Sequence, residues 1–252
     1  MIGLNLSLGI GSRLGGAAAY SQNRVAFDGA TFRNLPAAYA ASNSSGIVFS
    51  VWLDLSLMTN GVRYDFLVPT GGTGGGLLLR RTATNRINIS FAVTDGALFP
   101  AETITSVGSF TSGVNHVLAS WRIGAQTKQL VVNGTTDTNA AFTLGGGIEM
   151  AIAGDRTNHQ LGGSGVNTFG WLGQVGDLYA APADFDITDA AVQAKFSTAG
   201  GLPVDLGASG LTPTGAQPGI FFGSGMTAST GGPSNTGWNG GVHHGSWGAF
   251  SS

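Results

Sequence analysis

The sequence predicts an all-β domain, and three observations carry that reading. From Asn115 to Thr136 the chain reads NHVLASWRIGAQTKQLVVNGTT, with Val117, Ala119, Trp121 and Ile123 alternating with His116, Leu118, Ser120 and Arg122. A period of two suits a strand with one buried face. Glycine supplies 43 of the 252 residues, against roughly 7% in average usage. Charged residues make up 10% where about 25% is usual, with Lys128 and Lys195 the only lysines and Glu102 and Glu149 the only glutamates. Long helices draw on Lys, Glu, Leu and Ala; short strands joined by glycine turns fit this composition better.

The elements follow in order. In MIGLNLSLGIG, Ile2, Leu4, Leu6, Leu8 and Ile10 alternate with glycine, asparagine and serine, which predicts a strand. It either pairs within its own domain or adds to a neighbour's sheet edge; the linker-like SRLGGAAAYSQN after it favours docking as an arm. Phe49, Val51, Leu53, Leu55 and Leu57 mark a second strand. Tyr64 to Val68 and Leu77 to Arg80 read as strands around GGTGGG at 71–76. Ile87, Ile89, Phe91 and Val93 alternate up to Asp95-Gly96, a hairpin signal. After the central strand, Gly124 to Thr127 reads as a turn, Lys128 to Val132 as the returning strand, and Asn133-Gly134 as a second tight turn. Phe142 to Ile152 and Gly170 to Tyr179 supply further strands.

One short helix is predicted over 186–196 (DITDAAVQAKF). Asp186 or Thr188 would cap it, Asp189 would sit in its first turn, and Val192 and Phe196 would pack inward. Beyond it, proline spacing indicates an extended connection, then a Gly/Ser/Asn-rich tail carrying Trp238 and Trp247 that has little means of ordering itself. The domain reading is therefore an N-terminal arm and linker over 1–22, a β-sandwich over 23–200 and a C-terminal extension over 201–252.

A formal charge of −2 and the absence of any basic run disfavour nucleic acid. So little surface charge protects weakly against association and suggests a homo-oligomer. Without cysteine there is no disulfide framework, thiol nucleophile or Cys-ligated zinc. The start of the chain has no basic n-region and no apolar run near eighteen residues, so neither a signal peptide nor a membrane span is expected.

The series SGIVFSVWLDLSL, LLLRR, INISFAVTDG, VNHVLASWRIGAQTKQLVVNG and FGWLGQVGDLYAAPADFDITDA resembles laminin-G-like, concanavalin-A-like jelly rolls over about residues 45–200. That resemblance implies a β-sandwich jelly roll with extended N- and C-terminal arms. The flanks, Met1-Ile2-Gly3-Leu4, Pro218-Gly219-Ile220-Phe221-Phe222 and Asn235 to Gly241, are similar to laminin-G-like proteins of tailed-bacteriophage particles. This implies a virion structural protein, made in the host cytoplasm, associated with capsid or tail and contacting other virion proteins. Ile2, Leu4, Leu6, Leu8, Ile10, Trp238 and Trp247 would then be the partner-binding residues. The aspartate pair that holds calcium in better-known laminin-G modules has no clear counterpart.

Candidate chemistry is sparse. Asp184, Asp186 and Asp189 could suggest calcium, but helix capping accounts for them. Adjacent His243 and His244 lack nearby acids or thiols, and His116 is expected to pack or hydrogen-bond on its strand. Glu102 and Glu149 form no acid pair of the kind glycoside hydrolysis needs, and no nucleophile elbow or phosphate loop occurs. No enzyme activity, cofactor or metal is expected. The alternative function is a carbohydrate-binding module for host surface glycans, with Asp155, His159 and Trp171 as possible glycan contacts, and Trp52, Trp238 and Trp247 as further stacking candidates.

Overall fold

A computed structural model describes residues 24–29, 33–35, 42–43, 45–70, 76–94, 101–143, 149–151, 158–162, 170–207, 209–216, 218–222 and 242–244. In chain order the strands are β1 (Arg24–Asp28), β2 (Arg33–Leu35), β3 (Ser42–Asn43), β4 (Gly46–Asp54), β5 (Tyr64–Thr70) and β6 (Leu78–Arg81). Then come β7 (Ile87–Thr94), β8 (Ala101–Thr105), β9 (Val114–Arg122), β10 (Thr127–Val132), β11 (Thr135–Ala141) and β12 (Glu149–Ala151). Last are β13 (Asn158–Leu161), β14 (Leu172–Pro182), the helix α1 (Ala190–Gln193), β15 (Ile220–Phe222) and β16 (Val242–His244).

These strands form two antiparallel sheets packed as a jelly-roll β-sandwich. The first runs β11-β10-β9-β4-β14-β1-β16, with β15 beside β14. The second runs β2-β13-β5-β6-β7-β12-β3, with β8 beside β7. At the centre of the first sheet β4 pairs β9 along its whole length, from Gly46↔Arg122 to Asp54↔Val114. The β10–β11 hairpin turns on Asn133 (φ +52°) and Gly134 (φ +75°), the positive-φ pair that Asn-Gly predicts. β16, within the C-terminal tail, adds to the edge of β1 with Arg24 opposite His244. The expected arm over residues 1–22 lies outside the described residues.

Between the sheets, Phe49, Val51, Leu53, Val117, Ala119 and Trp121 meet Phe66, Leu79, Ile87, Ile89 and Phe91. The phenyl ring of Phe91 stands edge-on to Trp121 at 4.4 Å between centroids. One expectation is corrected here: β4 and β9 are buried on both faces, not one. Residues 183–207 and 209–216 run back over the outer face of the first sheet, and the chain then joins that sheet as β15. There Ile187, Phe196, Leu206 and Phe221 cover Val48, Leu118, Val131 and Tyr179 in a second apolar layer. The Tyr179 hydroxyl, whose pKa burial raises to about 12, reaches Thr214 at 3.1 Å and fastens the returning segment.

Three further expectations change. The helix is a single turn with Asp189 as its N-cap, its carboxylate accepting from the Ala191 amide at 2.8 Å. It begins later than expected because Asp186 and Ile187 are bound to the sheet through Gln129, which holds that stretch out of helical geometry. Past Gln193 the chain tightens into three-residue turns, and Phe196 is buried as expected. Leu57, expected on the inward face of β4, is 64% exposed because the strand ends at Asp54 and Met58 turns back onto the Leu55 carbonyl. The strand expected over 142–152 is described only as β12.

Candidate functional site

The two outer faces of the sandwich differ. The first sheet is closed by the chain's own apolar layer. On the second, the alternation that sends Leu79, Arg81, Ile87, Ile89 and Ile104 inward turns Arg80, Asn88, Ser90, Thr103 and Thr105 outward. Register aligns them: Asp65 opposes Arg80, Arg80 opposes Asn88, and Asn88 opposes Thr105. A polar row thus crosses four strands, about 14 Å at the usual strand spacing. A parallel row, Leu78–Ser90–Thr103, lies beside it, with Val68 and Gln160 paired on the same face.

Within the row, the Asn88 amide donates to Thr105 Oγ1 at 2.7 Å. The Asp65 carboxylate is fully buried and takes a forked pair from Arg63, Nε to Oδ1 at 2.9 Å and Nη2 to Oδ2 at 2.6 Å. This hydrogen-bonded carboxylate raises the Arg63 pKa. Arg80 Nε lies 3.2 Å from the same Oδ1.

At one end of the sandwich, Arg81 is fully buried on the inward face of β6. Its guanidinium donates to the Phe110 carbonyl at 2.9 Å, the Thr59 carbonyl at 3.1 Å, and Asn60 Oδ1 and Asn85 Oδ1 at 2.6 Å each. All four acceptors are neutral. Desolvation lowers the Arg81 pKa, and the fork ties together the loops after β4, β6 and β8. Nothing in the local sequence sets Arg81 apart from Arg80; alternation puts the two on opposite faces, and the pairing of β6 with β5 and β7 decides which of them goes inside.

Among the residues singled out from the sequence, those whose side chains are described have structural roles. Trp171, read from the sequence as a glycan-contact candidate, is fully buried against Phe66 at 5.4 Å. Trp52 is likewise buried, stacked on His116 at 4.7 Å. Asp184 and Asp186 hold Arg122 at 2.7 and 2.9 Å instead of capping the helix. The hydroxyl of Thr188, then Gln129 and Arg122, lower the Asp186 pKa. Glu102 pairs with Lys128 at 3.3 Å. His159 is in β13 opposite Leu35 and Pro69, and His243 and His244 are in β16; the placement of these three side chains lies outside what is described. Asp155, Ile2, Leu4, Leu6, Leu8, Ile10, Trp238 and Trp247 lie outside the described residues. No group of three possible metal ligands occurs among the described residues, and no described helix is long and apolar enough to cross a membrane.

His116 packs and hydrogen-bonds as expected, its Nε2 at 2.9 Å from Ser50 Oγ. Burial pushes its pKa down to about 3, so the folded protein holds it neutral. The unfolded chain protonates it near 6.5. Stability from this site is therefore complete above about pH 6.5 and is lost as pH falls toward 3. At pH 4.5 the loss amounts to about 2–3 kcal/mol. Urea unfolding of the wild type and His116→Gln at pH 7 and 4.5 checks this: the variant should show a shallower pH dependence, and identical slopes would refute it.

A surface cavity of about 470 Å³ lies between the β10–β11 turn and α1, lined by Asn133, Gln193 and Ser197 among others. Its best polar groups are already committed to the fold. Asn133 bonds Asn115 and the His116 amide, and Gln193 donates to the Ile187 carbonyl.

No family model matches the chain, and no curated protein does. Solved structures of similar architecture do match. The heptameric SAP-like pentraxin of Limulus polyphemus aligns at 12% identity over 90% of this chain and 93% of its own, with a TM-score of 0.47. The Ruminococcus gnavus IT-sialidase CBM40 bound to α2,3-sialyllactose aligns at 15% over 57% and 80%, TM-score 0.42. The receptor binding domain of botulinum neurotoxin mosaic serotype C/D aligns at 11% over 64% of this chain, which spans 41% of that one, TM-score 0.44. At such values the fold rests on this chain's own two sheets, and these similarities decide nothing about ligands.

Proposed function

We propose that the protein is a non-catalytic carbohydrate-binding module whose ligand lies across the outer face of the second sheet. The observation that carries this reading is the Arg80–Asn88–Thr105 row, a line of guanidinium, amide and hydroxyl groups fixed by ladder register. Hydroxyl-edged ligands need donors and acceptors held in place, and paired strands hold side chains more precisely than loops do. Asn88 commits its amide nitrogen to Thr105 and leaves its carbonyl oxygen to accept from a ligand hydroxyl. Half-buried Leu78 and Val68 beside the row suit the apolar face of a sugar ring. The carboxylate in the row, Asp65, is buried and ion-paired, so the row does not assemble the two acids that glycoside hydrolysis uses.

The virion role implied by the flanks gains no support from the described residues. Glycan-array binding with the wild type, Asn88→Ala and Thr105→Ala tests the carbohydrate reading. The wild type should bind a defined subset of glycans, and each variant should lose about tenfold in affinity with little change in thermal midpoint. A wild type that binds no glycan, or variants that bind equally well, would sink the reading.

A further inference from the structure

The charge balance in the polar row is uneven. Two guanidiniums, Arg63 and Arg80, share the single buried carboxylate of Asp65. Arg63 occupies both carboxylate oxygens with its fork. Arg80 contributes a second positive charge at 3.2 Å from Oδ1, yet its buried Nε makes no hydrogen bond. Its side chain is 26% exposed, and among the described residues no hydrogen-bond partner is seen for either Nη group. Burial opposes its cationic form; among the described residues Asp65 favours that form and Arg63 opposes it. The arrangement carries one net positive charge, largely withdrawn from water, with a planar two-donor edge that no described residue occupies. Such an edge matches the oxygens of a carboxylate or sulfate.

We infer that this face recognises an acidic glycan, its carboxylate or sulfate received by the Nη edge of Arg80 and a neighbouring hydroxyl donated to Asn88. The inference rests on the carbohydrate reading and adds the ligand's charge to it. Arg63 acts as a positioning residue: by saturating Asp65 it prevents that carboxylate from folding Arg80 into a closed pair. Lysine in place of Arg80 would keep the charge but lose the planar fork.

The test is isothermal titration of the whole protein with oligogalacturonate, a sulfated chondroitin oligosaccharide and a neutral oligosaccharide of equal length, at low and moderate salt. The acidic ligands should bind about tenfold tighter than the neutral one. That preference should shrink with added salt. Arg80→Gln should bring the acidic-to-neutral ratio close to one, and Arg80→Lys should restore it only in part. Comparing the carboxylated with the sulfated arm identifies which oxyanion is preferred. Equal binding of acidic and neutral ligands by the wild type, or a ratio unmoved by Arg80→Gln, would overturn the anion site while leaving carbohydrate binding intact. Binding of none of the three would overturn both.

Discussion

Arg81→Met is expected to destabilise the protein by about 3–5 kcal/mol, read as a fall in the urea midpoint at unchanged slope. The side chain is completely enclosed and makes four hydrogen bonds to neutral acceptors. Each charged bond contributes roughly 1.5–3 kcal/mol, but their sum overstates the loss. Burying the guanidinium itself costs several kcal/mol, and methionine removes that cost along with the bonds. What remains is the penalty for carbonyls of Thr59 and Phe110 left without donors, plus the loosening of loops that Arg81 joins. Arg81→Lys should recover little, because one ammonium cannot reach acceptors spread around a planar fork. A loss below about 1 kcal/mol would show that the loops hold together without it.

Trp121→Ala is the second large effect, about 3–5 kcal/mol by the same measurement. Trp121 lies at the centre of the inter-sheet core, fully buried, with Phe91 edge-on at 4.4 Å. Removing the indole opens a void that paired strands on both sides cannot collapse to fill. Its Nε1 makes no hydrogen bond, so Trp121→Phe loses volume but strands no polar partner. That variant should cost less than half as much. Equal losses for Ala and Phe would mean that the site depends on the indole's shape and not on filled volume. Against a typical total stability of 5–15 kcal/mol, the alanine variant retains little margin.

The contrast between neighbours shows how far residue order carries the argument. Val117, Ala119 and Trp121 announce a buried strand face, and Asn133-Gly134 announces the hairpin, because alternation and positive-φ turns are local properties of the chain. Leu118 gives no such warning. Its partners, Ile187, Phe196, Leu206 and Phe221, lie 69 or more positions further on, and their arrival turns a half-buried strand into one covered on both sides. Trp171 and Trp52 looked like stacking platforms only while the layers covering them were unknown. The helix over 186–196 has the right residues for several turns, but Gln129 and Arg122 hold Asp186 on the sheet and leave room for one.

The row on the second sheet has the same origin. Asp65, Arg80, Asn88 and Thr105 belong to four strands, and none of them is distinguished by its immediate neighbours. Backbone propensity and side-chain alternation, which act over a few residues, settle where strands and turns fall and which side chains share a face. Strand pairing and the return of residues 183–222 act across the whole chain. They settle which face is closed, which arginine of Arg80-Arg81 is buried, and which polar groups stand side by side.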